Sequence, residues 1–192
     1  MKNVSEVDSG CTIRWSGLAV LLGVAMFAAT VLTLQFLQPG YSPKHQLMSE
    51  LAMGRFGYLM IVSFIGLAVS FLGILISVGI GGGSVGLQMA LAATVASLLA
   101  AGIFPLGSAL TLHIASIALA FILSELAIYL YPTGAGKFAP AAPKPVSWPI
   151  AGAVAITITL GQSTLPMGVT QRLAAGFPLG WPLVVGWRLA RS

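Results

Sequence analysis

Residues 15–37 read WSGLAVLLGVAMFAATVLTLQFL, without one acidic or basic side chain. A helix needs roughly 20 predominantly apolar residues to cross the hydrocarbon core of a bilayer, and this run is long enough. It is longer than the ~7–15 residue apolar region of a secretory signal, so it reads as a retained span. Its apolar residues are continuous rather than alternating, which selects a helix over a barrel strand.

Working outward, the pattern recurs at residues 56–78, 85–104, 109–131, 148–165 and 167–189. The last of these holds Arg172, Pro178 and Pro182, so a kink, or first turns lying in the interface, is expected there. Composition agrees with the pattern. Charged residues make up 7% of the chain and hydrophobic ones 57%, against about 25% charged in a soluble domain. So few charges cannot cover a globular surface, and the bilayer must be the solvent. The expected fold class is all-α: one polytopic integral membrane bundle of about six transmembrane helices over 1–192.

The connections add detail. Residues 79–86, GIGGGSVG, join two membrane helices and lack the βαβ setting that a phosphate-cradling loop requires; they read as a turn. Residues 132–147, with Pro132, Pro140, Pro143 and Pro145, read as a proline-rich cytoplasmic linker. Between the first two spans, Ser42-Pro43 has the form of a helix start and Gly54 that of a stop. Leu47, Met48, Leu51 and Ala52 fall on one helical face, which predicts a short amphipathic helix in the outer interface. Small-residue rows (Gly66-Ser70 and Gly73-Ser77, Ala92-Ala96-Ala100, Ala93-Ser97-Ala101, Ser116-Ala120-Ser124) mark expected packing faces. A tight turn at Pro105-Leu106-Gly107 pairs the third and fourth spans antiparallel.

A net charge of +5 sets topology rather than nucleic-acid binding, because the basic residues sit at segment ends with no aromatic-interleaved patch. With the N-terminus in the cytoplasm, Lys2, Arg14, Lys137, Lys144, Arg188 and Arg191 lie inside, and Lys44, Arg55 and Arg172 outside. Both termini are then cytoplasmic, in the inner membrane. The single cysteine, Cys11, excludes an internal disulfide.

Scarce polar groups near one face are the candidates for chemistry. His113, counted along its helix, falls near the outer end of the fourth span, on the side of Ser49-Glu50 and Gln171-Arg172. A Glu50–Arg172 ion pair with His113 nearby would satisfy partly buried charges. Glu125, inside the fourth span, needs a proton or a hydrogen-bond partner such as Thr94 or Thr157. A metal site from His45, Glu50 and His113 has the right ligand types for zinc but no spacing motif, and neither a metal nor a cofactor is expected. No G-x-S-x-G nucleophile signature is present.

The residues Ser49-Glu50-Leu51, Gly66-Leu67, Gly102-Ile103-Phe104-Pro105 followed by His113, and Gly168 with Gln171-Arg172 carry a resemblance. Taken together they resemble the prokaryotic membrane proteins of domain-of-unknown-function family 998. The resemblance covers most of the chain. It implies a six-helix membrane protein with these polar groups gathered on one face, and no established activity. Members often carry an acidic residue just after the Phe-Pro pair, where this chain has Leu106-Gly107.

The functional expectation is an outward-facing polar pocket formed by Ser49, Glu50, His113, Gln171 and Arg172. It would take a small molecule or lipid headgroup, with Arg172 holding an anionic group and His113 and Glu50 orienting it or exchanging protons with it. Two alternatives stand beside it. One is a membrane enzyme acting on a lipid or isoprenoid at the outer leaflet, with His113 and Glu50 as acid–base groups. The other is a structural or accessory subunit whose partner is another membrane protein.

Overall fold

The computed structural model describes residues 4–136, 152–153 and 164–192. These form α1 (Val4–Leu37), α2 (Met60–Ile80), α3 (Val85–Ile103), α4 (Leu110–Gly134) and α5 (Met167–Ala190), with two short 3-10 helices at Met48–Met53 and Gly57–Leu59. There is no strand among the described residues. Among the described residues, four stretches are long and apolar enough to cross a membrane: Ser9–Leu37, Gly57–Ile80, Val85–Ile103 and Leu110–Gly134. They fit a membrane protein, since a helix satisfies its own backbone groups where no water is available. The segment expected at 148–165 lies outside the described residues, save 152–153 and 164–165.

The helices pack in the order α5–α1–α2–α3–α4, and α5 also touches α2 and α4, where Tyr131 meets Trp181 edge to face at 5.2 Å. Close approach of α1 and α2 depends on glycine. A Cβ at Gly66 would lie 2.6 Å from the carbonyl oxygen of Gly23, a distance no side chain tolerates. One turn on, the Ser70 hydroxyl donates to the Val20 carbonyl at 2.9 Å, tying the two backbones. The rows Gly66-Ser70 and Gly73-Ser77 are thus packing faces, and Ser116-Ala120-Ser124 is buried in α4. On α3, in contrast, Ala92 and Ala96 face outward; the packed face runs through Leu91, Thr94, Leu98 and Ala101. Both faces of α3 carry alanines, so residue size alone did not choose between them.

The two ends of the bundle are distinct. At one, the α2–α3 turn is closed by Gly83 N–H on the Val78 carbonyl at 2.8 Å. Ser84 caps α3 by accepting from the Leu87 N–H at 3.4 Å, and its own N–H donates to Gly134, at the end of α4. The glycine-rich stretch is therefore a turn between helices. α4 runs through Pro132 to Gly134, so the helix continues past the point where the proline-rich linker was expected to begin. A proline this near the terminus removes one bond of the last turn, and the contact with Ser84 holds that turn in place. α5 likewise continues through Pro178 and Pro182.

At the other end lie residues 38–59 and the α3–α4 turn, with α3 and α4 paired as expected. Ser108 and Ala109 N–H groups both donate to the Pro105 carbonyl. The amphipathic helix expected from Ser42 to Gly54 is not a single helix. A turn at 43–45 precedes the 3-10 helix Met48–Met53. The reason is competition for carbonyls: those of Pro43 and Gln46 are taken by Arg172 of α5.

Candidate functional site

The 38–59 segment forms a lid across this end, and four side chains fasten it. Gln38 donates from Nε2 to the Leu51 carbonyl at 3.0 Å. Tyr41 donates its hydroxyl to the Leu47 carbonyl at 3.0 Å. Arg172 donates from Nη1 to the carbonyls of Pro43 (2.6 Å), Gln46 (3.1 Å) and Gly168 (2.9 Å). Its Nη2 donates to the Tyr41 hydroxyl at 2.5 Å. Gln171 accepts the Met48 N–H on Oε1 at 2.6 Å. Gly168 makes this approach possible, because a Cβ there would overlap the Pro43 and Gln46 carbonyl oxygens.

Glu50 works within the lid. Its carboxylate accepts from the Leu47 N–H at 2.9 Å and from Gln46 Nε2 at 3.2 Å, satisfying an otherwise orphan donor at the start of the 3-10 helix. The ion pair expected between Glu50 and Arg172 is not formed. Arg172 is engaged with backbone carbonyls, which match the planar fork of its guanidinium.

His113 is 2% exposed and lies apart from this network. Its Nδ1 is 3.1 Å from the Ala101 carbonyl and 2.9 Å from that of Phe104. Both partners are acceptors, so Nδ1 carries the proton. The cause is local. Continuing α3 would require residue 105 to donate to Ala101, but Pro105 has no N–H. The Ser108 N–H, the next candidate for Phe104, goes to Pro105 instead. His113 therefore supplies the donor that the α3 terminus lacks. Its Nε2 is buried without a hydrogen bond, and its ring meets the edge of Phe64 at 5.8 Å. No hydrogen bond joins it to Glu50 or Arg172.

Both carboxyl oxygens of Glu125 are buried and unpartnered. Thr94 is not the expected partner: its hydroxyl donates to Ala90 at 2.8 Å within α3. Thr157 lies outside the described residues. Among the described residues no group of three His, Cys, Asp or Glu side chains is placed to hold a metal, and His45 is exposed.

Beneath the lid lies a cavity of about 90 Å³. All five helices and the first 3-10 helix contribute to its wall, which is apolar except for Ser49, Thr94, Ser124 and Gln171. Phe27, Phe64, Phe71 and Phe121 give it an aromatic surface. Trp181, fully buried, stands behind Phe71 at 6.3 Å between ring centroids. Of the five residues grouped in the expected pocket, Ser49 and Gln171 line this cavity; Glu50, His113 and Arg172 are not among its lining residues.

Sequence reasoning missed Tyr41, Gln46 and the phenylalanine wall. Gln46 was findable, four positions before Glu50 with a side chain that pairs with it. The wall was not, because its members come from separate elements with no shared spacing.

The model of a family described as proteins of unknown function (DUF998) matches residues 21–188. No curated protein and no solved structure matches the chain.

Proposed function

This chain belongs to the DUF998 family of proteins of unknown function, and from that premise we propose that it is a six-span inner-membrane protein that takes a short stretch of the apolar part of a lipid, next to its polar group, into the cavity beneath its lid. The observation that carries this reading is the wall of the cavity. It is drawn from α1 to α5 and the first 3-10 helix, it is rich in phenylalanine, and its polar members gather partly at the lid, as Ser49 and Gln171. Apolar pockets with a few polar groups at one end suit amphiphiles.

Six spans are supported by chain direction. α4 ends beside the α2–α3 turn, at Gly134, whereas α5 begins beside the lid, at Gly168. These two points lie at opposite ends of the bundle, which supports an odd number of crossings between them and so a span within 148–165. α1 begins and α5 ends at the same end, where Gly17 approaches Gly186 and Ala190. The charge bias of the sequence, with Lys2, Arg14, Lys137, Lys144, Arg188 and Arg191 assigned to one side against Lys44, Arg55 and Arg172, favours the cytoplasm for both termini and the outer leaflet for the lid.

Two experiments test the reading. An uncharged alkyl diazirine probe, photolysed with the detergent-solubilised full chain, should crosslink to α2, α4 and α5 and lose most of its labelling in Ala120→Phe and Ala175→Phe. Equal labelling of these filled variants at unchanged thermal stability would refute a cavity site. For orientation, exposed Cys11 should react with an impermeant maleimide only after cells are opened. Lys44→Cys in a Cys11→Ser background should react in intact cells.

The enzyme reading has one supporting observation, the unpartnered Nε2 of His113. Against it stand the engagement of Glu50 within the lid and the absence of His113 from the cavity wall.

A further inference from the structure

Four polar side chains line the cavity, and they are not equivalent. Thr94 and Ser124 donate to carbonyls of their own helices, at 2.8 and 2.9 Å. Their hydroxyl protons are occupied, and the wall around them is apolar. Ser49 is 8% exposed, and its hydroxyl makes no hydrogen bond to a described residue. Gln171 has its Oε1 held by the Met48 N–H, which fixes the amide so that Nε2 carries the free hydrogens. That nitrogen makes no hydrogen bond to a described residue either. Among the described polar residues of the wall, the unused donors thus lie at the lid end. Neither atom is among the fully enclosed, unpartnered polar atoms of the described residues, so both are accessible to a guest in the cavity, and these two groups define what complements them.

Charge narrows the class. No described residue of the wall is charged. The nearest cation, Arg172, is engaged by three carbonyls and Tyr41. At the lid, the carboxylate of Glu50 is engaged by Gln46 and Leu47, and Glu125, which follows Ser124 on α4, is not among the lining residues. Lys44 and His45 are exposed. A phosphate or ammonium drawn into this end would lose its hydration without gaining a counter-charge. Donor chemistry narrows it again. Gln171 Nε2 can only donate, the Ser49 hydroxyl can donate as well as accept, and a carbonyl oxygen has two lone pairs with which to receive donors.

We propose that the polar group held beneath the lid is an uncharged carbonyl on a lipid-like molecule, with Gln171 Nε2 and Ser49 Oγ as its donors. This rests on the cavity being a lipid site and names the chemistry it selects. It also replaces the anionic group that Arg172 was expected to hold. An ester of glycerol and a quinone both present such a carbonyl on an apolar body.

The test measures displacement of the alkyl diazirine probe from the full-length protein by four competitors: monododecanoyl glycerol, a decyl-tailed benzoquinone, dodecane and dodecyl phosphate. The ester, the quinone or both should compete at least about tenfold better than dodecane and dodecyl phosphate, the factor expected for one well-made hydrogen bond. The tighter of the two names the source. Gln171→Glu keeps an oxygen for the Met48 N–H but removes the donors, and Ser49→Ala removes the hydroxyl. Each should weaken the carbonyl competitors about tenfold and leave dodecane unchanged. Competition independent of the head group, preference for the phosphate, or carbonyl competition unaltered in both variants would overturn the proposal while leaving the apolar site standing. Failure of the alkyl probe to label at all would remove both.

Discussion

The Met48 N–H donates to Gln171 Oε1 at 2.6 Å across 123 positions of sequence. One side chain of α5 thereby fixes the start of the first 3-10 helix and turns its own amide nitrogen away from Met48. Replacing Gln171 by Ala leaves that N–H without its partner. The expected loss is about 1–2 kcal/mol, read as a lower midpoint in thermal unfolding in detergent, with faster hydrogen exchange at Met48.

Arg172 is the larger fastening. Its guanidinium reaches three carbonyls and the Tyr41 hydroxyl, and a charged donor makes each such bond stronger than a neutral one. Arg172→Ala should cost about 2–3 kcal/mol and open residues 41–47 to added protease. Arg172→Lys should recover less than half of this, because an ammonium lacks the planar fork. Full recovery by Lys would show that charge alone holds the lid.

Gly168 and Gly176 lie on the same helix and separate two effects of glycine. Gly168→Ala places a methyl against the Pro43 and Gln46 carbonyls, whereas a Cβ at Gly176 meets nothing within 4 Å. The first should destabilise by several kcal/mol, about 3 or more, and detach the lid. The second should be neutral or stabilising by about 0.5–1 kcal/mol, since alanine favours the helix. Equal outcomes in a paired thermal-unfolding measurement would refute the close approach.

His113 caps α3 through Nδ1, and asparagine carries an amide nitrogen at a similar reach. His113→Asn should stay within about 1 kcal/mol of the parent, whereas His113→Leu should lose about 1–3 kcal/mol by leaving the Ala101 and Phe104 carbonyls unpaired. If both variants unfold alike, the ring is held by packing against Phe64 and not by its proton.

Periodic and compositional features were legible from the chain alone. Long uncharged runs dictate helices because the bilayer offers backbone groups no other partner. Pro105 ends α3, and the glycine-rich 79–86 stretch turns, for reasons contained in those residues. Rows such as Gly66-Ser70 identified a packing face because close contact in a membrane requires small side chains. The family resemblance, read from short motifs, also stands.

Tertiary structure decided the partners. From sequence, Glu50 and Arg172 are the natural pair, being opposite charges expected on one face. Folding instead brings Arg172 to a turn whose carbonyls point inward, and leaves Glu50 to an N–H three residues before it. The same competition for hydrogen bonds dissolved the expected interfacial helix into a turn and a 3-10 helix. The cavity likewise belongs to the assembled fold, because its wall is one or a few residues from each of several helices. A sequence determines which segments enter the membrane and which faces are small. Which donor finds which acceptor is set by distances between segments far apart in the chain, and those exist only once the helices have packed.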